Sequence, residues 1–181
     1  MDMQPLAAKF SKSGDHPGIL LPDAPVEAGG GGGDYGSEAV ITQELAFALD
    51  NAIGFEIHST ITSHYIQAYA THEQKLEWLP KMASGEMIGA IAMSEPAAGS
   101  DLQGIKSTAI QQADGSYLLN GSKTFITNGW HADLVIVVAK TNPAAGGKGP
   151  RLLLVERGMA GFSGGKRTKK LGLRAPATSQ R

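Results

Sequence analysis

The spacing of apolar residues changes near Gly85, and that change restricts the fold more than any other feature of the chain. From Ser37 to about Ser84, apolar side chains recur every three or four residues, which is typical of helices packed on one face. After Gly85 they form short stretches separated by turn-forming pairs, which is typical of strands. Because helices come first and strands second, the sequence predicts an α+β protein with two subdomains rather than a βαβ nucleotide fold.

The first half of the chain is expected to hold three helices. In the first, Ile41, Leu45 and Leu49 recur at helical spacing behind Ser37, whose hydroxyl suits an N-cap. The second helix should cover about residues 52–69. Its predicted apolar face consists of Ile53, Ile57, Ile61 and Tyr65.

The third helix is expected to begin behind Thr71, because Thr71-His72-Glu73-Gln74 has the form of a capping box. Pro80 lies inside this helix. Since proline has no backbone N–H, it should break or kink the helix there.

The second half should hold short strands. The predicted strands are Ile88–Met93, Tyr117–Leu119, Phe125–Thr127, Leu134–Ala139 and Leu152–Val155. The pairs Asp114-Gly115 and Asn120-Gly121 favour two-residue type I′ turns, in which both central residues have positive φ. We therefore expect an antiparallel β meander that closes into a small barrel or sandwich, with Asn142–Pro150 as a loop tip.

Composition excludes several kinds of site and partner. The 181 residues carry a net charge of −1 and include no cysteine, which excludes disulfides, thiolate metal sites and a cysteine nucleophile. Bulk charge gives no reason to expect a nucleic acid partner. No apolar run approaches the roughly 18 residues that span a bilayer, and no secretory signal is evident. A cytoplasmic protein without a membrane span is the expectation.

Several residues that often carry chemistry are interpreted as structural. Gly29–Gly33 is taken as irregular chain rather than a phosphate loop, because no Gly-Lys-Ser/Thr follows it. No two histidines are spaced i, i+4, so no metal site is expected, and His58 and His64 are interpreted as satisfied helix residues. Pro96 restricts the backbone of Glu95 to extended forms, which favours a structural or turn role for that carboxylate.

Two stretches, Ile88–Asp101 and Asn120–Gly129, have the composition of half a ligand pocket. Each joins a short apolar strand to glycines and small polar residues, whose backbone N–H groups a ligand can approach closely. Hydroxyls at Ser94 and Thr127 could hydrogen-bond the edge of a planar heterocycle, and Phe125 could pack on its ring. These residues alone favour a cofactor pocket.

At these residues the sequence resembles the acyl-CoA dehydrogenase family. Its members carry A-M-T/S-E-P-x-A-G-S-D, here Ala92–Asp101, followed by N-G-x-K-x-x-I-T-N-G, here Asn120–Gly129. Ala70–Gln74 and Leu79–Gly85 also match. The resemblance is greatest to the long-chain members of the family.

The resemblance implies a division of the chain into a partial N-terminal helical domain over residues 17–86 and a middle, antiparallel β-barrel-like domain over residues 87–175. Residues 1–16 are unassigned, and residues 176–181 diverge from the family. The family's C-terminal four-helix domain is expected to be absent. Its glutamate base would then lie beyond Arg181, so no catalytic residue is assigned.

The resemblance further implies FAD-dependent oxidation of a fatty acyl-CoA to a trans-2-enoyl-CoA, with an electron-transfer flavoprotein as electron acceptor and a homo-oligomer as the family's usual state. The residues implied to contact FAD are Ile91, Ala92, Met93, Ser94, Glu95, Pro96, Ala97, Ala98, Gly99, Ser100, Phe125, Ile126 and Thr127. Ser100 and Thr141 are implied to contact the acyl-CoA, and Gly54 to leave room for a longer acyl chain. A eukaryotic source would imply the mitochondrial matrix, although no transit peptide is seen.

Three other interpretations stay open. The chain could be a non-catalytic fragment that binds flavin or pairs with another subunit. It could be a flavoprotein similar to the acyl-CoA oxidases, which share related motifs. It could also be an unrelated β-barrel binding module.

Overall fold

The computed structural model of the chain describes residues 18–48, 54–167 and 179–180, with helices first and strands second, as expected. Helix α1 is Tyr35–Phe47; α2 is a π-helix at Glu56–Thr62 that continues as an α-helix at Ser63–Tyr69; and α3 is His72–Ala83. Three short 3₁₀ segments are Val26–Ala28, Leu102–Gly104 and Pro143–Lys148. Among the helices described, none combines the length and the hydropathy needed to cross a bilayer.

The main sheet has five strands. They are β1 Gly89–Ala92, β2 Thr108–Gln111, β3 Tyr117–Asn120, β4 Leu134–Lys140 and β5 Pro150–Glu156. Two shorter strands, β6 Lys166–Arg167 and β7 Ser179–Gln180, form a separate antiparallel pair.

The antiparallel meander expected from the sequence is wrong, because the sheet is mixed. β5 pairs antiparallel along the whole of β4, whereas β1 pairs parallel with residues 134–137 on the other side of β4. β2 joins the far end of β4 in parallel at Lys140 and pairs antiparallel with β3. Every residue of β1 and all of β4 except Lys140 are buried, and strands enclosed on both faces are typical of parallel pairing.

Neither Gly-containing pair forms the expected type I′ hairpin turn. β2 and β3 are joined by a five-residue loop, Gln112–Ser116, in which Gly115 has φ +85° but Asp114 does not lie at positive φ. The Asp114 carboxylate instead accepts hydrogen bonds from the N–H and hydroxyl of Ser116, which is a local turn of its own. Gly121 leads into no adjoining strand; a Cβ there would lie 2.1 Å from Ser107 Oγ.

The first helix begins earlier than expected. Asp34, not Ser37, is its N-cap, and the carboxylate of Asp34 accepts the N–H of Ser37 at 3.2 Å. Ile41 and Leu45 are half-buried against a small core formed by Leu20, Phe55 and Ile88. Leu49 and Ile53, which complete two of the expected apolar faces, lie outside the described residues.

The buried face of α2 differs from the one expected. Ile57, Ile61 and Tyr65 are only half-buried. The enclosed residues are instead His58, Ser59, Thr62, Ser63 and Ile66. Two of their hydroxyls are satisfied within the helix, since Thr62 donates to the Ile57 carbonyl at 2.7 Å and Ser63 donates to that of Ser59. The buried Ser59 hydroxyl has no hydrogen-bond partner among the described residues. Hydroxyls that bond the preceding turn can be buried without leaving donors unpaired.

The third helix confirms the capping box: Thr71 and Gln74 exchange both hydrogen bonds. Pro80 does not end the helix, which continues to Ala83. Leu76 and Pro80 are exposed, so water can bind the carbonyl that the missing N–H would have bonded. The inner face of α3, including Trp78 and Met82, packs against residues 18–25, which we call the entry loop, and against the start of β4.

The glycine run does not form a phosphate loop, which confirms the structural interpretation. The N–H groups of Gly29, Gly30, Gly31, Gly32 and Gly33 all donate to carbonyls of residues 21–26. A ligand phosphate would need free N–H groups. The run instead folds on itself, and a Cβ on Gly30 would lie 2.2 Å from the Ala24 carbonyl oxygen.

Candidate functional site

Three hydrogen bonds bring the two stretches singled out in the sequence together. The Thr124 N–H donates to the Ser94 carbonyl at 2.9 Å. The Lys123 ammonium donates to the Met93 carbonyl at 3.0 Å and pairs with the Glu95 carboxylate at 2.8 Å. The segment that follows β1 and the segment that precedes β4 therefore form one surface.

Glu95 holds this surface together. It is 7% exposed, and its two oxygens accept the N–H of Lys106 at 2.6 Å, the N–H of Ser107 at 3.0 Å and the Lys123 ammonium. Burial alone would raise the pKa of Glu95, but the hydrogen bonds from Lys123, Ser107 and Lys106 outweigh burial and lower the pKa to about 2. The expected structural role of Glu95 is confirmed: it is a fixed, enclosed anion.

Beyond Glu95 the chain makes a tight turn with small residues at its tip. The Glu95 N–H donates to the Ala98 carbonyl at 2.8 Å, and the Ala98 N–H donates back at 3.1 Å. Pro96 and Ala97 at the tip are exposed, as is Gly99, where a Cβ would meet nothing within 4 Å. The tip offers open backbone that side chains do not cover.

Phe125–Thr127 is a turn, so the expected strand is wrong. Phe125 has φ +57°, which a bulky residue seldom adopts, and its side chain is 62% exposed. Ile126 is buried against β1 and β4, while Thr127 is half-buried. A strand would have placed Phe125 and Thr127 on one face; the turn instead presents the Phe125 ring to the outside, at a conformational cost that often marks a functional position.

Asn128 fixes this turn to the helical part of the molecule. Its side chain is fully buried and donates to the carbonyls of Gly54, at 3.1 Å, and Gly89, at 3.4 Å. The backbone carbonyl of Asn128 accepts the N–H groups of His131 and Ala132, both at 2.8 Å. The turn that carries Phe125 is therefore connected directly to the start of α2 and to the first residue of β1.

His58 makes a second connection between α2 and β1. Its Nδ1 accepts the N–H of Gly89 at 3.0 Å, so its Nε2 carries the proton and donates to the Met82 carbonyl at 3.1 Å. Burial lowers the pKa of His58 to about 4, so the ring is neutral near pH 7. His58 is thus a satisfied helix residue, as expected from the sequence.

The residues implied to contact FAD differ in how far they reach the surface. Ile91, Ala92, Glu95, Ala98 and Ile126 are buried, so only their backbone could meet a ligand. Met93, Ser94 and Thr127 are half-buried, and Pro96, Ala97, Gly99, Ser100 and Phe125 are exposed. The accessible set thus combines small residues, hydroxyls and one aromatic ring.

The two residues implied to contact substrate lie on neighbouring loops. Ser100 precedes the Leu102–Gly104 segment, and half-buried Thr141 precedes the Pro143–Lys148 segment. A Cβ built on Gly147 would lie 2.7 Å from the Gln103 side chain. The Thr141 N–H donates to the Gly149 carbonyl at 3.1 Å, which closes the second loop.

Sequence reasoning missed the roles of Lys123 and Asn128. In the sequence, Lys123 was noted only as the lysine of the N-G-x-K-x-x-I-T-N-G motif, yet its side chain joins both stretches. No local pattern reveals that Asn128 reaches Gly54, 74 residues away in the chain. The local signal is the pair Asn128-Gly129, because asparagine tolerates the left-handed backbone conformation that buried Asn128 adopts with φ +64°.

The chain matches two family models. The acyl-CoA dehydrogenase N-terminal domain matches residues 4–86, and the acyl-CoA dehydrogenase middle domain matches residues 90–180. The long-chain specific acyl-CoA dehydrogenase, mitochondrial, of Rattus norvegicus is 47% identical over 165 residues, which are 90% of this chain and 38% of the rat protein. An acyl-CoA dehydrogenase of Bacillus subtilis is 38% identical over 173 residues, or 94% and 45% of the two chains.

Solved structures agree with this similarity. An acyl-CoA dehydrogenase from Geobacillus kaustophilus superposes with a TM-score of 0.89 at 43% identity, over 97% of this chain and 46% of that one. An acyl-CoA dehydrogenase complexed with FAD, from Bacillus anthracis, gives 0.85 at 36% identity, over 98% and 29%. The chain therefore spans less than half the length of these relatives.

Proposed function

The chain belongs to the acyl-CoA dehydrogenase family, a family of FAD-dependent oxidoreductases that act on CH–CH bonds, and we propose that it forms the flavin-facing part of an enzyme that oxidises a fatty acyl-CoA. The observation that carries this proposal is the junction of the two stretches at Lys123 and Thr124. It leaves a small-residue tip and the exposed Phe125 ring on one surface.

The residues of this surface fit a flavin. The open backbone of Pro96–Ser100 lets a flat ligand approach without meeting large side chains, and Gly99 has free space around it. Ser94 and Thr127 offer hydroxyls for the edge of the ring system, and Phe125 offers an aromatic face. We propose that Ile91–Ser100 and Phe125–Thr127 bind FAD, the buried members of the set through their backbone.

The substrate proposal rests on Ser100, Thr141 and family similarity. The two residues lie on adjacent loops, and the chain is 47% identical to a rat enzyme described as long-chain specific. We propose a medium- to long-chain acyl-CoA as substrate, a trans-2-enoyl-CoA as product and an electron-transfer flavoprotein as electron acceptor. If the source is eukaryotic, the mitochondrial matrix is the proposed location, since the rat relative is mitochondrial.

Glu95 is not the base of this reaction. The α-carbon of the substrate must lose a proton and the β-carbon a hydride, and bound FAD supplies the hydride acceptor. An efficient base has a pKa near the working pH, whereas the pKa of Glu95 is about 2 and both its oxygens already accept hydrogen bonds. The role of Glu95 is to hold the flavin-facing loop in place.

Titration with FAD tests the proposed cofactor surface. The purified 181-residue chain should shift the visible absorption of FAD on binding. Replacing Phe125 by leucine should weaken binding about two- to tenfold, because an aromatic contact contributes about 0.5–1.5 kcal/mol beyond burial. Phe47→Leu is the matched control, since Phe47 is a 73% exposed phenylalanine on α1 and is not among the residues proposed to bind FAD.

Both outcomes of this titration are informative. A folded chain that binds no FAD would contradict the proposal and favour an unrelated binding module. Equal losses in the Phe125 and Phe47 variants would remove Phe125 from the cofactor surface. Unfolding should not confuse the result, because both side chains are largely exposed and contribute little to the core.

Turnover tests the proposed reaction separately. The chain would be assayed with octanoyl- or palmitoyl-CoA, FAD and an artificial electron acceptor, with oxygen consumption followed in parallel. Formation of trans-2-enoyl-CoA that depends on the acceptor would support a dehydrogenase. Product formation that instead consumes oxygen would support an oxidase, and FAD binding without any product would support a non-catalytic flavin-binding role.

A further inference from the structure

Three titratable side chains from separate elements meet on the helical side of the molecule. Asp23 comes from the entry loop, Glu38 from the first turn of α1 and His64 from α2. His64 Nε2 lies 2.9 Å from Glu38 Oε1 and 3.1 Å from Asp23 Oδ2. One oxygen or nitrogen from each residue lies within 4.8 Å of the other two. We refer to Asp23, Glu38 and His64 as the acid cluster.

The acid cluster is enclosed and incompletely hydrogen-bonded. Glu38 is 1% exposed. Within residues 18–48 and 54–167, no group hydrogen-bonds Glu38 Oε2 or Asp23 Oδ1, although both oxygens are buried. Since Glu38 Oε1 contacts His64, the second oxygen of the same carboxylate also lies at the cluster. A buried carboxylate oxygen without a donor is costly, and in proteins such charges are paired or coordinate a metal.

We propose that the acid cluster binds one divalent transition-metal ion, for which Zn²⁺ is the representative. One imidazole nitrogen with two carboxylates suits zinc and its first-row neighbours, whereas Mg²⁺ and Ca²⁺ favour oxygen ligands alone. Ligands about 2.0–2.2 Å from a tetrahedral ion lie roughly 3.3 Å apart. The separations of 2.9 and 3.1 Å from His64 Nε2 need to widen slightly to admit the ion. The two carboxylates have oxygens within 4.8 Å of each other, and these must take up the same spacing.

Charge and the surrounding bonds agree with this assignment. Two carboxylates and a neutral imidazole carry two negative charges, which a divalent ion neutralises. Gln67 Nε2 donates to Asp23 Oδ2 at 3.0 Å and so orients that carboxylate from outside the cluster. The ion would join the entry loop to α1 and α2, and its fourth position would be open to water because the His64 side chain is 37% exposed.

A metal-free arrangement competes with this proposal. A protonated His64 can donate to both carboxylates, or the two carboxylates can share a proton; neither arrangement needs a metal. The two possibilities differ in what they bind. A hydrogen-bonded triad has no specific affinity for Zn²⁺ or Co²⁺, whereas a metal site loses affinity when one ligand is replaced.

Zinc titration of the full chain distinguishes them. The chain would be purified with a chelator, dialysed and titrated with ZnCl₂ by calorimetry, with Co²⁺ absorption as a second probe. We expect one ion per chain, and binding at least about tenfold weaker in His64→Gln and in Asp23→Asn, since even outer-shell changes cost that much. His72→Gln is the control, because His72 is an exposed histidine outside the cluster.

The same experiment can overturn the proposal. Absence of zinc binding, or equal affinity in the wild type and Asp23→Asn, would show that the cluster is only a hydrogen-bonded triad. A loss of affinity in His72→Gln as large as that in His64→Gln would show binding by surface histidines. Far-UV circular dichroism checks that each variant is folded, and if His64→Gln is not, Asp23→Asn decides. None of these readouts depends on FAD.

Discussion

Glu95 and Glu38 are both enclosed glutamates, at 7% and 1% exposure, but their surroundings differ. Glu95 accepts from two backbone N–H groups and from the Lys123 ammonium, and its pKa falls to about 2. For Glu38, burial is the largest influence and raises the pKa, while His64 acts in the opposite direction. Its second oxygen has no hydrogen-bond partner within the described ranges.

The comparison shows that donors, rather than depth, decide what a buried carboxylate becomes. The less enclosed of the two, Glu95, is the more firmly ionised, because three donors replace the water it has lost. It can therefore hold the loop of Pro96–Ser100 without reacting. Glu38 lacks enough donors, which leaves it open to a proton or a cation.

Of the substitutions that test this comparison, Glu95→Gln should lower the free energy of unfolding the most. The Lys123 side chain is 10% exposed, so the change would leave a buried ammonium without its counter-charge. Such a loss destabilises proteins by about 3–5 kcal/mol. Urea unfolding at pH 7 measures it as a fall in the free energy of unfolding.

Glu77→Gln is the control for that experiment. Glu77 also pairs with a lysine, Lys81, at 3.6 Å, but the two side chains are 56% and 40% exposed. Exposed pairs of this kind contribute about 0.3–0.5 kcal/mol. If the two glutamine variants lost similar stability, Glu95 would not be the firmly paired anion described above.

The stability of the wild type should depend on pH in a defined range in which Glu95 titrates and the Glu95→Gln variant has no such group. The folded pKa of Glu95 is depressed from 4.5 to about 2, so its stabilisation is present above pH 4.5 and is lost as the pH falls toward 2. The difference of about 2.5 units corresponds to about 3 kcal/mol. Chemical unfolding between pH 5 and 2 should therefore show the wild type approaching the stability of Glu95→Gln.

His58 provides an internal reference for the same pH series. Its folded pKa is lowered from 6.5 to about 4, so the unfolded chain binds the proton more readily and stability falls as the pH drops through that range. Both the wild type and Glu95→Gln should show this fall. If the stability of Glu95→Gln did not fall between pH 6.5 and 4, the assignment of that range to His58 and of the range from pH 4.5 to 2 to Glu95 would be contradicted.

Sequence patterns predicted those parts of the fold that depend on neighbouring residues. The capping box at Thr71 and Gln74 forms as expected because its two hydrogen bonds lie within one helical turn. Short apolar runs correctly located β1, β4 and β5. Their pairing was only partly predicted: β4 and β5 pair antiparallel, as in the expected meander, but β1 pairs parallel with β4. Alternation of side chains indicates which faces are buried but not which strands are adjacent.

The parts that the sequence could not predict depend on contacts distant along the chain. The buried face of α2 is polar because His58 bonds Met82 and Gly89, 24 and 31 residues away. The turn at Phe125 depends on Asn128, which reaches Gly54. The acid cluster was missed for the same reason, since Asp23, Glu38 and His64 have no regular spacing.

Replacing Glu38 by glutamine should have a much smaller effect than replacing Glu95, and it sharpens the comparison most directly. In a metal-free buffer at pH 7, the change removes a charge that burial disfavours, while the partly exposed His64 can turn to water. We expect the free energy of unfolding to change by no more than about 1 kcal/mol, in the stabilising direction.

Because the folded pKa of Glu38 is raised, any stabilisation it contributes is present below pH 4.5 and is lost as the pH rises through the folded pKa. The variant should therefore gain on the wild type as the pH rises above 4.5, which is opposite to the trend for Glu95→Gln at low pH. Loss of a firmly paired buried carboxylate costs about 3 kcal/mol or more. If the free energy of unfolding of Glu38→Gln fell by that much at pH 7, Glu38 would be as firmly paired as Glu95.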